Sequence, residues 1–292
     1  IVNKRHYMKT FTLNDSNRIP SVGFGTYQIP ADGSTYKAVK EALNVGYRHI
    51  DTAVAYFNEK EVGKAVNDSG IRRDEIFVTS KLWLQDYAYA DAVKAIDKSL
   101  EKLNLDYIDL YLIHQPYGKV DEAWRAMEEA QKAGKIKSIG VSNMTVKLWN
   151  KFKDCFSVIP AVNQVEYHPM MQQKELSSLM SKHNVLIEAW APLYQGNKLL
   201  LDNHVIKELA TKYHKTAAQI VLRFENQMGV IILPKSTHTE RIKENLEIFD
   251  FSLTDEEMKM IQNLNQEKGI HNPDNPGVGE WLLANFDVHR DD

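Results

Sequence analysis

Four side chains capable of acid–base chemistry stand where predicted strands give way to loops. Asp51 ends one β-branched run, Tyr56 follows in the next loop, and Lys81 and His114 end two further runs. A free tyrosine, with a pKa near ~10, is a weak acid at neutral pH, and a nearby ammonium lowers that pKa. A carboxylate can keep the lysine charged, and a histidine can hydrogen-bond a carbonyl oxygen. These residues predict a proton-donating site suited to carbonyl reduction, for which a hydride cofactor must supply the electrons.

Each of these four residues also has a purely structural interpretation. Asp51 could cap its loop, and His114 could be a hydrogen-bonded core residue at the end of an apolar strand. Lys81 could be a surface lysine whose stem packs on the protein, and Tyr56 an ordinary loop aromatic. A site is favoured because all four fall at the carboxyl ends of predicted strands or in the loops that follow.

The elements that must position these residues alternate regularly between strand and helix. Strands are predicted over residues 22–25, 47–51, 77–81, 107–114, 136–141, 161–166, 186–191 and 230–233. Helices are predicted over residues 34–44, 58–69, 87–103, 121–133, 145–152, 173–183, 205–227 in two pieces, 239–247 and 254–264. This order favours an α/β fold, a closed (β/α)8 TIM barrel, over an open doubly wound sheet. Active sites of such barrels lie at the carboxyl ends of the strands.

Two helix starts carry a capping-box spacing, and both ends of the chain lie outside the barrel pattern. Asn58 with Glu61, and Thr254 with Glu257, are predicted to cap their helices. Residues 10–20 are predicted to form an N-terminal hairpin that caps the bottom of the barrel. Residues 269–292 lack periodicity and are predicted to form a long loop over the barrel's rim. Residues 1–7 are interpreted as a cloning remnant, which leaves a single domain over residues 8–292.

Composition narrows the class of protein further. The chain has 292 residues and a formal net charge of −3, which argues against binding to nucleic acid or to an acidic membrane. It has no apolar run of 18 residues and no apolar leader. Cys155 is the single cysteine, so no disulfide can form within the chain, and a reducing, cytoplasmic location is expected. A monomer is expected as well.

Several common chemical motifs are missing from the sequence. Gly23 and Gly25 lack the third glycine and the acidic partner of a dinucleotide-binding Rossmann turn. The histidines show no H-E-x-x-H spacing, so no metal site is predicted, and no G-x-S-x-G elbow for serine hydrolysis is present. A cofactor must therefore be bound in another way.

The chain resembles the aldo-keto reductase family over several long segments in the same order. These segments are G-Y-R-H-I-D-T-A-V-A-Y-F-N-E at 46–59, L-D-Y-I-D-L-Y-L-I-H-Q-P at 105–116, G-K-I-K-S-I-G-V-S-N at 134–143 and I-L-P-K-S-T-H-T-E-R-I-K-E-N at 232–245. Residues 163–169 and 250–257 resemble the branch of 2,5-diketo-gluconate reductases and prostaglandin F synthases. The resemblance spans about residues 8–264 and implies a barrel that binds NADPH across its C-terminal rim.

The resemblance also implies roles for the four residues. Tyr56 would be the general acid in reduction and the base in alcohol oxidation. Lys81, paired with Asp51, would make Tyr56 more acidic, and His114 would orient the carbonyl group.

Cofactor contacts follow from the same resemblance. They are implied for Gly25, Thr26, Asp51, Ser142, Asn143, Gln164, Trp190, Leu193, Gln195, Lys235, Ser236, Thr237, Arg241, Glu244 and Asn245. Among these, Ser142, Asn143 and Gln164 would hold the carboxamide, and Trp190 would stack on the nicotinamide ring. Lys235, Ser236 and Arg241 would bind the 2′-phosphate, which favours NADPH over NADH. Glu244 and Asn245 would contact the adenine.

The substrate is predicted to be a small carbonyl compound. Tyr27, Trp83 and Trp281 are expected to line its pocket, together with Tyr56 and His114. Gln115 stands where relatives often have a Trp, which removes an apolar wall and favours small α-oxoaldehydes such as methylglyoxal. The alternative is an NADPH-binding regulatory or structural protein of the same fold with little turnover. A barrel hydrolase or metal-dependent isomerase would require the family resemblance to be accidental.

Overall fold

The computed structural model describes residues 9–290, so the interpretation of residues 1–7 falls outside the described residues. Within this range the strands are β1 (Thr10–Thr12), β2 (Arg18–Pro20), β3 (Phe24–Gly25), β4 (His49–Asp51), β5 (Phe77–Leu82), β6 (Ile108–Ile113), β7 (Ile136–Ser142), β8 (Val162–Glu166), β9 (Leu186–Trp190) and β10 (Ile231–Ile232). The helices are α1 (Ser34–Val45), α2 (Glu59–Asn67), α3 (Tyr89–Leu103), α4 (Val120–Lys132), α5 (Val146–Phe152), α6 (Lys174–Lys182), α7 (Lys198–Leu201), α8 (His204–Tyr213), α9 (Ala217–Gln227), α10 (Thr239–Leu246), α11 (Asp255–Gln262) and α12 (Val278–Asn285).

The eight strands β3 to β10 form one parallel sheet in chain order, and the sheet closes on itself. Val22, just before β3, forms a parallel bridge with Ile232 of β10. The N–H of Gly23 donates to the Ile232 carbonyl oxygen at 2.8 Å, which joins the first and last strands. This closure confirms the predicted (β/α)8 barrel.

The main core lies between the barrel and its surrounding helices. The sequence of β6 is nearly uninterrupted in its apolar character because both faces of this strand are buried. Tyr111 of β6, Trp124 of α4 and Trp149 of α5 are almost fully buried there. Gly63 allows α2 to approach α3 closely, because a Cβ atom at this position would lie 2.0 Å from the Leu103 carbonyl oxygen of α3. Burial of both faces is expected for a parallel sheet covered by helices.

No helix in residues 9–290 has the length and apolarity needed to cross a membrane.

One of the two predicted capping boxes is wrong. Thr254 and Glu257 form the box at the start of α11, but the Asn58 side chain caps nothing at the start of α2. Asn58 instead faces inward, accepting from Thr52 Oγ1 at 2.6 Å and donating to the Thr26 carbonyl oxygen at 3.0 Å. A buried amide satisfies its polar groups with whatever donors and acceptors surround it, and here these belong to other loops.

Glu61, the second residue of that failed box, caps a different helix. Its carboxylate accepts from the Gly33 N–H at 2.7 Å and from the Tyr36 N–H at 2.9 Å. These two amides lie at the start of α1, whose own N-cap is a glycine without a side chain. A helix start that lacks a side-chain cap is thus satisfied by a carboxylate from the next helix.

The hairpin predicted for residues 10–20 is confirmed, since β1 and β2 pair antiparallel. Leu13 and Ile19 pack against Phe77, at the amino end of β5, in a small apolar cluster. Asn14 Nδ2 donates to the Pro160 carbonyl oxygen at 2.9 Å, before β8 begins. The hairpin therefore closes the end of the barrel opposite to the carboxyl ends of the strands.

The prediction that residues 269–292 are loop is wrong over α12. This helix begins after Gly277, which adopts a left-handed φ of 78°. Among the helix residues only Gly279 is buried, and a Cβ there would lie 2.9 Å from Tyr117 Cβ. Because the helix buries so little, it needs no one-sided apolar stripe, and the sequence shows none.

Candidate active site

The four predicted catalytic side chains converge at the carboxyl end of the barrel. Lys81 Nζ donates to Asp51 Oδ1 at 2.6 Å and to Tyr56 Oη at 3.2 Å, and it also contacts the Thr52 carbonyl oxygen at 2.8 Å. The rings of Tyr56 and His114 meet edge to face with centroids 5.6 Å apart. The structure thus brings these four residues together, while their catalytic roles stay predictions.

Strand register explains why a lysine and an aspartate meet inside the barrel. β4 pairs with β5 so that Asp51 lies opposite Thr79, two residues before Lys81. Alternate residues of a strand share a face, so Thr79 and Lys81 point to the same side of β5. Tyr56 ends the short 3-10 turn Val54–Tyr56, which Phe57 closes in a left-handed conformation with φ 56°.

Burial governs the protonation of this cluster. Desolvation raises the pKa of Tyr56 to about 12, although the charge of Lys81 acts to lower it. Burial also disfavours the charge of Lys81, but attraction to Asp51 and Tyr56 outweighs it and raises the lysine pKa. Burial, reinforced by Lys81, holds the pKa of His114 well below its usual range. At neutral pH the site therefore holds a phenol, an ammonium and a neutral imidazole.

The residues predicted to surround the nicotinamide lie on three neighbouring strand ends and contact one another. Ser142 Oγ donates to the Gln164 carbonyl oxygen at 2.9 Å. Trp190 Nε1 donates to Asn143 Oδ1 at 2.8 Å, and Asn143 Nδ2 donates to the His114 carbonyl oxygen at 3.2 Å. The structure thus groups these residues beside the catalytic cluster.

The segment predicted to bind the 2′-phosphate follows β10 and runs into α10. Lys235 and Arg241 make no ion pair with any residue that the structure describes. Ser236 Oγ accepts from the His238 N–H at 3.0 Å, at the start of a helix that no side chain caps. Thr237 is exposed here. Cations without anionic partners beside an open helix start are suited to binding a phosphate group.

The two residues predicted to contact adenine lie in α10 and differ in their surroundings. Glu244 Oε1 accepts from Thr216 Oγ1 at 2.7 Å, so its carboxylate is already tied to the start of α9. Asn245 is 5% exposed.

Gly25 and Thr26 hydrogen-bond to backbone carbonyl groups next to the site, whereas Leu193 and Gln195 lie in a separate loop. Thr26 is fully buried and its hydroxyl donates to the Asp51 carbonyl oxygen at 2.9 Å. The Gly25 N–H donates to the Pro234 carbonyl oxygen at 3.1 Å, directly before Lys235. Leu193 and Gln195 lie in the loop after β9. No hydrogen bond or ring contact within residues 9–290 joins Leu193 or Gln195 to the catalytic cluster.

The predicted substrate wall is aromatic. Tyr27, half exposed, lies 5.2 Å from the Tyr56 ring, and Trp83 lies 5.2 Å from the His114 ring between centroids. Trp281 makes no ring contact with Tyr56 or His114; it packs on Phe286, which in turn packs on Trp83. The Phe286 carbonyl oxygen also accepts from Trp83 Nε1 at 3.1 Å. These contacts hold the C-terminal segment that contains Phe286 against Trp83.

Sequence reasoning missed Glu188 and Phe286. Glu188 is fully buried in β9 and contacts Gln164. A charged residue inside an otherwise apolar strand is a signal that could have identified it from the sequence. Alternation in L-I-E-A-W also places Glu188 on the same face as Trp190. Phe286 gave no such signal, because its role depends on the path of the tail.

A cavity of about 570 Å³ lies elsewhere, between α6 and the ends of α9 and α11. None of the predicted site residues lines this cavity. Within the described part of the chain, no group of three or more His, Cys, Asp or Glu side chains could hold a metal ion. The chemistry-bearing residues are concentrated at the carboxyl ends of the barrel strands.

A (β/α)8 barrel with ionisable side chains gathered at the carboxyl ends of its strands has the architecture of a barrel enzyme. The family described as "Aldo/keto reductase family" matches residues 21–266. The chain belongs to this family of oxidoreductases.

Three relatives align with this chain over nearly their whole length. A 9,11-endoperoxide prostaglandin H2 reductase of Trypanosoma cruzi is 44% identical over 92% of this chain and 97% of its own. A glyoxal reductase of Bacillus subtilis is 43% identical, covering 91% and 96%. A methylglyoxal reductase of Escherichia coli is 44% identical, covering 88% and 94%.

Solved structures agree in fold. An aldo-keto reductase from a deep-sea metagenome library superposes with a TM-score of 0.87 at 42% identity, over 90% of this chain and 97% of its own. An aldo-keto reductase of Bombyx mori in complex with NADP gives a TM-score of 0.84 at 34% identity, over 94% and 96%.

Proposed function

We propose that this protein reduces small aldehydes and ketones, α-oxoaldehydes among them, to alcohols with NADPH, and that Tyr56 is the general acid. The observation that carries the proposal is the position of the Lys81 ammonium. It touches the phenol of Tyr56 and the carboxylate of Asp51 at once, beside the neutral imidazole of His114. This set is suited to delivering a proton to a developing alkoxide.

The chain's own residues fit an NADPH molecule laid across the rim. Lys235 and Arg241 offer two cations for the 2′-phosphate. Gln164 and Asn143 offer amides near Tyr56 and His114, and Gln164 Oε1, which accepts no hydrogen bond among residues 9–290, suits the N–H groups of a carboxamide. Trp190 offers an indole face. When bound, NADPH would supply the hydride for the carbonyl carbon.

Proton delivery follows from the protonation states of the cluster. The neutral His114 imidazole would donate a hydrogen bond to the substrate carbonyl oxygen and so fix its position. Tyr56, a phenol at neutral pH, would give its proton to that oxygen as negative charge develops there. Lys81 would stabilise the phenolate that remains, and Asp51 keeps Lys81 charged and aimed at the phenol oxygen.

The preference for small substrates rests on the relatives and on Gln115. Two relatives are named for glyoxal and methylglyoxal. Gln115 lies beside the cluster, with its Oε1 3.4 Å from Asn143 Nδ2. A polar side chain at this point suits a substrate with a second oxygen better than a large apolar one. The single cysteine fits a reducing compartment such as the cytoplasm.

The test is the loss of NADPH absorbance on mixing the purified protein with methylglyoxal, glyceraldehyde, aromatic aldehydes and a steroid ketone. We expect carbonyl-dependent oxidation of NADPH, with the highest kcat/KM for the small α-oxoaldehydes. A much higher kcat/KM for the steroid ketone would overturn the substrate preference. Tight NADPH binding with no turnover on any compound would favour the regulatory or structural alternative.

A further inference from the structure

We propose that Glu188 is a positioning residue that, together with Asp51, fixes the side-chain amide of Gln164 so that its Oε1 is the end presented to the nicotinamide carboxamide. The inference rests on the proposed cofactor and names a residue outside the catalytic cluster. It assigns a purpose to a buried carboxyl group that the proton-transfer scheme does not use.

The amide nitrogen of Gln164 is held by two acidic side chains at once. Gln164 Nε2 donates to Glu188 Oε1 at 2.6 Å and to Asp51 Oδ2 at 2.9 Å. β8 and β9 pair so that Gln164 and Glu188 lie directly opposite each other. All three side chains are buried, and Glu188 is fully so.

These two contacts define the orientation of the amide. An amide nitrogen carries two hydrogens, and both are used here, whereas no hydrogen bond among residues 9–290 uses Gln164 Oε1. A flipped amide would place Oε1 against two carboxyl oxygens, with no donor toward Asp51. With a single acidic acceptor the amide would have a second hydrogen free and less reason to prefer one orientation. The second acceptor is what Glu188 supplies.

Glu188 can serve as an acceptor without adding a second negative charge beside Asp51. Burial, followed by repulsion from Asp51, raises the pKa of Glu188, so that a proton on Oε2 leaves Oε1 free to accept. Oε2 has no hydrogen-bond partner among the described residues and lies 3.8 Å from His49 Nε2. The charged and titratable neighbours are thus His49, Asp51 and, beyond it, Lys81.

His49 is not a cation that would hold Glu188 ionised. Burial lowers the pKa of His49 to about 3, and its Nε2 is 3.1 Å from Thr79 Oγ1. The histidine is therefore neutral at neutral pH and bonded within its own layer of the barrel. The hydrogen bond from Gln164 is therefore the main polar interaction of the Glu188 carboxyl group.

The experiment compares the binding of two ligands by calorimetry. NADP⁺ contains the nicotinamide carboxamide, and 2′,5′-ADP carries only the adenine and phosphate end. In Glu188→Met, we expect the Kd of NADP⁺ to rise at least about fivefold, as for the loss of one hydrogen bond to an acidic group. The Kd of 2′,5′-ADP should stay unchanged. In Glu188→Gln, which keeps an acceptor oxygen, most of the NADP⁺ affinity should return.

The outcomes separate the inference from the proposed function. If the wild-type protein binds neither ligand, the proposed cofactor is wrong. If the wild-type protein binds both and Glu188→Met binds NADP⁺ equally well, Glu188 does not position Gln164. Equal weakening of both ligands would also overturn the inference, because it would indicate a general loss of structure.

A second measurement uses the wild-type protein alone. Both Nε2 hydrogens of Gln164 should exchange slowly with solvent in the ligand-free wild-type protein, as followed by NMR of the side-chain amides. The amide of Gln195, exposed in the loop after β9, is the matched control and should exchange fast. Fast exchange of either Gln164 hydrogen would contradict the fixed orientation.

Discussion

The ammonium nitrogen of Lys81 lies 3.2 Å from the phenol oxygen of Tyr56, at the carboxyl end of the barrel. This contact acts against the stronger effect of burial, which raises the pKa of Tyr56 to about 12. The tyrosine consequently keeps its proton at neutral pH, and in the proposed reaction Lys81 would stabilise the phenolate only once the proton has left. An acid that holds its proton until charge develops on the substrate is suited to reduction.

Replacing Tyr56 by Phe should remove the acid while leaving the surrounding contacts almost intact. We expect kcat for methylglyoxal reduction to fall by about 10²- to 10⁴-fold, the usual contribution of a general acid. The Kd of NADPH should change little. Tyr27→Phe is the matched control, because Tyr27 contacts the Tyr56 ring but has no bond to Lys81. A Tyr56→Phe enzyme of full activity would rule out the proposed acid.

Replacing Lys81 by Met should destabilise the fold as well as the site. Lys81 is fully buried and paired with Asp51, so its loss leaves a buried carboxylate without its cation. We expect the free energy of unfolding in urea to fall by about 3–5 kcal/mol. The double variant Lys81→Met/Asp51→Asn should recover part of this loss, because the unpaired charge is gone.

An exposed ion pair provides the comparison for Lys81. Lys64 and Asp68 are paired on the surface of α2, with both side chains well exposed. Lys64→Met should cost no more than about 1 kcal/mol. Equal losses for Lys81→Met and Lys64→Met would show that burial of the Lys81 pair does not matter to stability.

The barrel was predictable from sequence because its signals are periodic. The barrel strands are largely buried on both faces, and the helices between those strands carry an apolar stripe, so eight units could be counted. Errors arose where a single contact decides the structure. The Asn58 side chain turned inward to Thr52 and Thr26, and the spacing to Glu61 could not show that competing contact. α12 buries too little surface to leave a pattern.

The sequence predicted which residues form the candidate site better than it predicted their contacts and pKa shifts. The strand-end position of Asp51, Lys81 and His114 follows from the barrel, and the lysine–tyrosine contact agrees with simple electrostatics. What the sequence missed is the cost of burial, which reverses the expected direction of the Tyr56 pKa shift. It also missed Glu188, whose meaning depends on the strand register that places it opposite Gln164.

Arg241→Ala should change the choice between cofactors. Arg241 is exposed on α10 and makes no ion pair with any residue in 9–290, so its positive charge is available for a 2′-phosphate. We expect the KM for NADPH to rise roughly tenfold or more, as for a lost hydrogen bond to a charged group. The KM for NADH, which lacks that phosphate, should barely move.

A neighbouring cation on the same helix tests whether the effect is specific. Lys243 is also exposed, but it is paired with Glu247 one turn along. Lys243→Ala should leave the ratio of the two KM values unchanged. If both variants weakened NADPH and NADH to the same extent, Arg241 would contribute only general attraction and the phosphate assignment would be wrong.

Glu225 should make the stability of the protein depend on pH. This residue of α9 is fully buried, and neither carboxyl oxygen has a hydrogen-bond partner among the described residues. Burial raises its pKa well above the usual value, so the folded protein keeps the carboxyl neutral. The unfolded chain ionises it above a pH of about 4.3. The stabilisation is complete below that pH and is lost as pH rises toward the folded pKa.

Glu225→Gln should remove this dependence, since an amide does not titrate. The free energy of unfolding of the variant, relative to wild type, should rise with pH above about pH 5, by up to about 1.4 kcal/mol per pH unit while the folded carboxyl stays neutral. Urea unfolding at several pH values measures the slope, and Glu101→Gln, at an exposed position of α3, is the control. A difference between Glu225→Gln and wild type that stays constant with pH would mean that Glu225 is ionised in the folded protein, with its charge satisfied by water.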